Sequence, residues 1–110
     1  MPLQARVLVT GGAGFLGSVL VPLLLQDRYL VTVVDNFLYG QTPLLDWCGH
    51  PGLTVVRDDI RVKSVLERSL RGQDAILPLA CLTGAPACAH DMTAARTTNL
   101  EAIRMLCRLK

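Results

Sequence analysis

Three glycines and the strand-like run before them carry the chemistry that this sequence suggests most clearly. Val7-Leu8-Val9-Thr10 leads into Gly11-Gly12-Ala13-Gly14-Phe15-Leu16-Gly17, which fits G-x-G-x-x-G from Gly12 and G-x-x-G-x-x-G from Gly11. A strand that turns sharply into a helix leaves backbone N–H groups unbonded at the helix N-terminus, where they and the helix dipole attract a pyrophosphate. The first glycine permits the tight turn, the second lets the backbone approach the phosphates, and the third lets the helix pack on the strand.

An acid follows at the distance that such a site requires. The apolar run 30–34 ends in Asp35, roughly 20 residues past the glycines, where a dinucleotide fold places a carboxylate on the adenine-ribose hydroxyls. The carboxylate suits the free hydroxyls of NAD and repels the 2′-phosphate of NADP, and Asn36-Phe37-Leu38 adds no cation after it. The sequence therefore favours NAD. The alternative, an ordinary strand–turn–helix with a turn-forming Asp, explains the order of these elements less well.

Composition limits the classes of protein to be considered. The chain has 110 residues, enough for one modest domain, and its 51% hydrophobic but only 5% aromatic content suits a parallel sheet buried on both faces. The net charge of +2 is scattered, so no nucleic-acid partner is predicted. The four cysteines form no C-x-x-C or zinc spacing, and no apolar run reaches the ~18 residues of a membrane span. We expect a cytoplasmic protein without a metal site.

Hydrophobic periodicity predicts strands that alternate with helices. Strands are predicted at residues 4–10, 30–35, 53–57 and 74–79. Helices are predicted at 15–28, at 61–71 with Gly72 as its stop, and from an N-cap at Asp91 to the end, with a short helix across 44–48. This alternation predicts an α/β Rossmann-type fold, a parallel sheet of order 3-2-1-4 with helices on both faces, incomplete at four strands. The cofactor should lie where the winding reverses, between strands one and four.

Two helix faces and two prolines give sharper expectations. In the first helix the inward stripe is predicted to be Leu16, Val19, Leu20, Leu23 and Leu24. In the last helix it is predicted to be Met92, Ala95, Ala102, Ile103, Leu106 and Leu109, with Asn99 among them. Pro22 predicts a kink in the first helix, and Pro78 predicts a disturbed end of the fourth strand, where a proline removes a ladder hydrogen bond.

These motifs together resemble the extended short-chain dehydrogenase/reductase family, which includes NAD-dependent nucleotide-sugar epimerases and dehydratases. The resemblance spans nearly the whole chain in the family's order. Its segments are Thr10 to Gly17, Val34-Asp35-Asn36 with Tyr39-Gly40, Asp58-Asp59-Ile60-Arg61, Leu79-Ala80-Cys81, and Asn99.

The resemblance implies a role in cofactor binding for twelve residues. The pyrophosphate loop would be held by Gly11, Gly14, Phe15, Leu16 and Gly17. Asp35 would take the adenine-ribose hydroxyls with Asn36 beside it, Asp59 and Ile60 would flank the adenine, and Leu79 and Ala80 would line the pocket. Asn99, if buried, needs partners, and either the backbone of strand four or the cofactor would supply them. Thr83 stands where some sugar epimerases carry a lysine.

The pair that performs proton transfer in this family is absent from the chain. The family uses Tyr-x-x-x-Lys, but the tyrosines here are Tyr29 and Tyr39 and the lysines are Lys63 and Lys110. The expectation is that residues 1–110 form one NAD(P)-binding Rossmann domain truncated before the catalytic region, inactive alone. The complete enzyme would be a homodimer that acts on nucleotide sugars by transient hydride transfer to NAD. The alternative is a non-catalytic NAD-binding or interaction module.

Overall fold

The computed structural model describes residues 4–37, 44–80 and 91–109. Its four strands are β1 (Arg6–Thr10), β2 (Leu30–Asp35), β3 (Leu53–Arg57) and β4 (Ala75–Pro78). All three strand pairs are parallel and the order is β3-β2-β1-β4, which confirms the predicted topology. The carboxyl ends of the strands therefore meet at one edge, and the winding reverses between β1 and β4.

The helices lie on both faces of this sheet. They are α1 (Phe15–Gln26), α2 (Lys63–Leu70), α3 (Met92–Arg96) and α4 (Ala102–Leu109), with a 3-10 turn at Leu45–Trp47 and a π-helical turn at Thr97–Glu101. Two predicted signals are confirmed at their ends. The carboxylate of Asp91 accepts a hydrogen bond from the Ala94 N–H at 2.9 Å, and Gly72 adopts a positive φ of 72° just past α2. No helix among these described residues is long and apolar enough to cross a membrane.

The core consists of two layers because the strand side chains alternate between the faces. Val7 and Val9 of β1 pack with α1 on one face, whereas Leu8 packs with α2 and α4 on the other. β1 and β2 lie in the middle of the sheet and are buried from both sides after their first residues, with Thr32 of β2 the one exception. This explains why they read in the sequence as continuous apolar runs.

The predicted inward face of α1 is wrong at three of its five positions, although Leu24 packs against the core as predicted. The buried residues are Gly17, Val21 and Leu25, four residues apart, whereas Leu16, Val19 and Leu23 are more than half exposed. α1 is apolar on nearly every side, so periodicity alone cannot choose a face. Close packing at Gly17 chooses it, because a glycine in contact with the loop fixes which residues one and two turns later face the sheet.

The last helical segment departs from the prediction only in its first part. Ala102 and Leu106 are buried and Ile103 and Leu109 pack against the same core, as predicted, whereas Met92 is 75% exposed. The π-helical turn lies between α3 and α4, and its wider i→i+5 turn shifts the angular phase of the helix. Residues before and after it therefore do not share the single face that a uniform 3.6-residue repeat predicts.

The two prolines lie within α1 and at the end of β4. α1 continues through Pro22, and the kink expected there stays a prediction. β4 ends at Pro78, and the next residue, Leu79, donates its N–H to the Thr10 carbonyl at 2.9 Å. Because successive strand residues direct their N–H groups to opposite sides, the Pro78 nitrogen faces the outer edge of β4. No ladder bond to β1 is lost, and the proline instead makes that edge a poorer template for a further strand.

A matched pair of substitutions tests the observed face of α1. Leu25→Ala should lower the free energy of unfolding by about 2–5 kcal/mol, since it removes a buried side chain from the core. Leu23→Ala, on the same helix, should cost below about 1 kcal/mol, since that side chain is half exposed. Urea denaturation followed by circular dichroism measures both. Equal losses, or a larger loss for Leu23, would contradict the observed face.

Candidate functional site

The glycine turn after β1 is formed by a backbone that only glycine tolerates. Gly11 has a φ of 74°, and its N–H donates to the Val34 carbonyl at 2.8 Å. A Cβ at this position would lie 2.5 Å from the Ala80 Cα. The turn therefore lies directly against the residues that follow β4, and Gly11, Leu79 and Ala80 come together as the sequence predicted.

The N-terminus of α1 presents unbonded donors at the same edge. Gly14 is its N-cap, no side chain caps it, and no acidic residue lies in the first turn. The Ser18 N–H bonds the Gly14 carbonyl at 2.8 Å, but the N–H groups of Phe15, Leu16 and Gly17 have no acceptor in the described part of the chain. Three orphan donors and the positive end of a helix dipole form an arrangement that binds an anion.

Gly17 holds this helix terminus in place. A Cβ there would lie 2.3 Å from the Gly12 carbonyl oxygen, so the first turn of α1 rests directly on the glycine turn. The side chains of Phe15 and Leu16 point away, at 91% and 57% exposed. Their backbone, and not their side chains, is what the fold positions toward the edge.

Asp35 joins the end of β2 to the glycine turn. The residue is 7% exposed, and its carboxylate accepts the Ala13 N–H at 3.0 Å and the Phe37 N–H at 2.7 Å. A carboxylate offers about four lone-pair sites, so two remain for donors such as ribose hydroxyls. Asn36 lies beside it and is exposed.

A cation that the sequence reading missed stands next to this acid. Arg57 is the register partner of Asp35 on β3, and its guanidinium carbon lies 5.9 Å from the centroid of the Phe37 ring. The prediction looked for a positive charge only along the chain, at Arg28 before the strand and at residues 36–38 after it. The predicted strand order could have found Arg57, because adjacent parallel strands bring their last residues side by side.

Asp59 and Ile60 differ in which of their atoms a ligand could contact. The Asp59 carboxylate accepts the Arg61 guanidinium, with Nη2 to Oδ2 at 2.6 Å, and the Arg61 N–H at 2.8 Å. These hydrogen bonds from Arg61 lower the pKa of Asp59 below its ordinary value, against a smaller opposing effect of burial. Ile60 is 5% exposed and its side chain packs in the core with α2 and α4, so only its backbone is available to a ligand.

Asn99 does not lie where the sequence placed it. It is exposed, on the π-helical turn, and is not part of the apolar face. The phase shift of that turn is the reason. Three residues of the resembling motifs (Tyr39, Gly40 and Cys81) and Thr83 lie outside the described residues. Among the residues that are described, no three His, Cys, Asp or Glu side chains cluster as metal ligands.

The glycine turn, Asp35, the residues after β3 and the residues after β4 thus lie at the carboxyl edge, at the point where the winding of the sheet reverses. A doubly wound sheet with this edge is typical of proteins that bind a dinucleotide. Residues 7–109 match the model of the NAD dependent epimerase/dehydratase family. The chain belongs to this family.

Individual relatives agree with the family. The chain is 45% identical over 58 residues to UDP-glucuronic acid decarboxylase 1 of Danio rerio, covering 52% of this chain and 14% of that protein. It is 42% identical over 78 residues to UDP-glucuronic acid decarboxylase 6 of Arabidopsis thaliana, covering 69% of this chain and 21% of that protein. The chain thus spans about a fifth or less of these curated relatives.

Solved structures share the fold. The dTDP-glucose 4,6-dehydratase DesIV from Streptomyces venezuelae, solved with NAD bound, has a TM-score of 0.86 at 34% identity, covering 94% of this chain and 35% of that one. UDP-glucuronic acid 4-epimerase from Bacillus cereus, solved with UDP-glucuronic acid and NAD, has a TM-score of 0.84 at 26% identity, again covering 94% and 35%.

Two glycines test the close packing of the helix terminus. Gly17→Ala should lower the free energy of unfolding by about 1–3 kcal/mol, since the new methyl group overlaps the Gly12 carbonyl. Gly49→Ala is the control, because a Cβ at Gly49 would meet no atom within 4 Å. Thermal melting measures both changes. If Gly17→Ala has the same melting temperature as the wild type, the described contact between α1 and the turn is wrong.

Proposed function

We propose that the chain binds NAD and is the cofactor-binding part of an NAD-dependent epimerase or dehydratase that acts on nucleotide sugars. One observation carries the proposal. The unbonded N–H groups of α1 and the buried carboxylate of Asp35 face one edge, and the Asp35–Ala13 hydrogen bond fixes one against the other. A pyrophosphate needs the first and an adenine ribose needs the second.

The residues present fit the cofactor. In this proposal the pyrophosphate lies against the backbone of Gly11, Gly14, Phe15, Leu16 and Gly17. The adenosine end is taken by Asp35 and Asn36 and by Asp59 and the Ile60 backbone, and Leu79 and Ala80 line the pocket at the end of β4. Asn99 stays a proposal that rests on the family resemblance, because its exposure removes the argument from burial.

Bound NAD would accept a hydride from a sugar carbon and return it later. The chain's own contribution is to bind and orient the dinucleotide. A group that moves the hydroxyl proton is needed as well, and the family's Tyr-x-x-x-Lys pair does not occur in residues 1–110. The nucleotide-sugar substrate is supported by the names of the relatives, which are a UDP-glucuronic acid decarboxylase, a dTDP-glucose dehydratase and a UDP-glucuronic acid epimerase.

The remaining expectations from sequence belong to the same proposal. One NAD-binding domain comprising residues 1–110, a homodimer of the complete enzyme, and a place in the cytoplasm all follow from this family assignment. Cys48 and Cys107 carry free, exposed thiols, which suits a reducing compartment.

Substitution of Asp35 tests the cofactor assignment. Asp35→Ala should weaken NAD binding by about 1–3 kcal/mol, since it leaves the ribose hydroxyls without their acceptor. The ratio of NADP to NAD affinity should rise, because the repelling carboxylate is gone while the Arg57 guanidinium remains nearby. Isothermal titration with both dinucleotides measures the affinities.

Two further variants separate the charges from the fold. Asp35→Ala/Arg57→Met should lose the gain in relative NADP affinity, because its cation is absent. Asp35→Asn keeps the size of the side chain and one acceptor oxygen, and its melting temperature shows what the loss of one of the two N–H bonds costs the fold. An unchanged NAD affinity in a folded Asp35→Ala variant would remove Asp35 from the site.

A separate test concerns turnover by the chain alone. The purified 110-residue chain should show no epimerase, dehydratase or decarboxylase activity on UDP- or dTDP-sugars with NAD. A positioned proton-transfer group contributes typically ~10²–10⁴-fold, and the chain lacks the family's pair. Product analysis by liquid chromatography decides the matter, and turnover above the buffer control would refute the assignment of catalysis to the absent pair.

A further inference from the structure

The side chain of Arg61 joins two separate parts of the fold. Its Nε and Nη2 donate to the Asp59 carboxylate, at 2.9 Å and 2.6 Å to Oδ2. Its Nη1 donates to the hydroxyl of Thr97 at 3.2 Å, and Thr97 lies 36 residues away at the start of the π-helical turn. One guanidinium therefore connects the loop after β3 to the turn between α3 and α4.

A series of hydrogen bonds joins this loop to Asp35, the residue proposed to bind the adenine ribose. The Asp58 N–H donates to the Asp35 carbonyl at 3.0 Å, and the Asp59 N–H donates to the Asp58 carboxylate at 2.8 Å. The Arg61 N–H then donates to the Asp59 carboxylate at 2.8 Å. An unbroken series of hydrogen bonds thus runs from Asp35 to Thr97, with Arg61 as its last link.

The geometry requires an arginine at this position. A guanidinium is a planar fork that can donate to a carboxylate and, from its other side, to a second acceptor, whereas a lysine is a point charge on a flexible stem. The side chains of Arg61 and Asp59 are 41% and 29% exposed, and ion pairs of such exposure add little to global stability. Replacement of Arg61 should therefore change the stability of the whole fold little. Its effect should instead be on the orientation of residues 58–61.

We propose that Arg61 is a positioning residue for the adenine end of the dinucleotide, which it serves by holding the Asp59 carboxylate and tying residues 58–61 to the π-helical turn. The inference rests on the proposed NAD site. A loop whose side chains are held before the ligand arrives loses less conformational freedom on binding, and so binds more tightly. Arg61 itself acts through Asp59 and Thr97.

The test compares ligands that do and do not carry adenine. In the purified chain, Arg61→Met should weaken binding of NAD and of AMP about tenfold, and should change binding of inorganic pyrophosphate less than twofold. Arg61→Lys should recover only part of the loss, since it restores the charge without the fork. Thr97→Val, which removes the far contact together with the hydroxyl's own bond to the Thr93 carbonyl, should weaken AMP binding several-fold. Arg104→Met, on the exposed side of α4, is the matched control and should leave all three affinities unchanged.

A second readout reports on the Asp59 carboxylate directly. Titration of the side-chain carboxyl by NMR should show its pKa rising toward the ordinary value of about 3.9 in Arg61→Met. A loss of AMP binding equal to the loss of pyrophosphate binding would mean a simple charge effect and would overturn the inference, as would unchanged AMP affinity in a folded variant. Should Arg61→Met fail to fold, unchanged AMP affinity in Thr97→Val would overturn it equally. Wild-type protein that binds neither NAD nor AMP would instead refute the proposed function, and with it this inference.

Discussion

The edge of the sheet depends on the hydrogen bonds of one buried carboxylate. Asp35 accepts N–H groups from Ala13, in the glycine turn, and from Phe37, in its own turn. A buried carboxylate without partners would be costly, and a glycine-rich turn without an anchor would be free to take many conformations. The Ala13 N–H therefore satisfies the buried carboxylate, and the carboxylate in turn holds the glycine-rich turn in one conformation. The result fixes the distance between the helix terminus and the end of β2 before any ligand is present.

Close backbone contacts complete the same edge. Gly17 allows α1 to rest on the turn, and Gly11 allows the turn to rest against Leu79 and Ala80. No side chain lies between these segments, so the donors at the start of α1 stay open to one side only. The first turn also lacks acidic residues, which would otherwise compete with an anion. The backbone donors of α1 and the Asp35 carboxylate therefore lie at the same edge of the sheet.

The sequence predicted the strands because these depend on local signals, and their order because strands that alternate with helices fit the dinucleotide-binding arrangement. Glycine spacing, strand length and the acid after β2 are all visible within a few residues. The face of α1 was predicted wrongly because an all-apolar helix has no periodic signal, although Gly17, read with a four-residue spacing, points to Val21 and Leu25. Arg57 and the Arg61–Thr97 contact were missed because each joins residues that are near only in the folded sheet. Asn99 was misplaced because a π-helical turn leaves no mark in hydrophobic periodicity.

Cofactor binding and proton transfer are separable along a chain of this kind. Every contact proposed for NAD comes from turns at the carboxyl ends of β1 to β4 or from the helices that follow them, and these ends are adjacent because the strands are parallel. Hydride transfer needs the cofactor and a sugar carbon, whereas removal of the hydroxyl proton needs a base. The match to the family over residues 7–109 therefore concerns the part of the fold that would hold the dinucleotide.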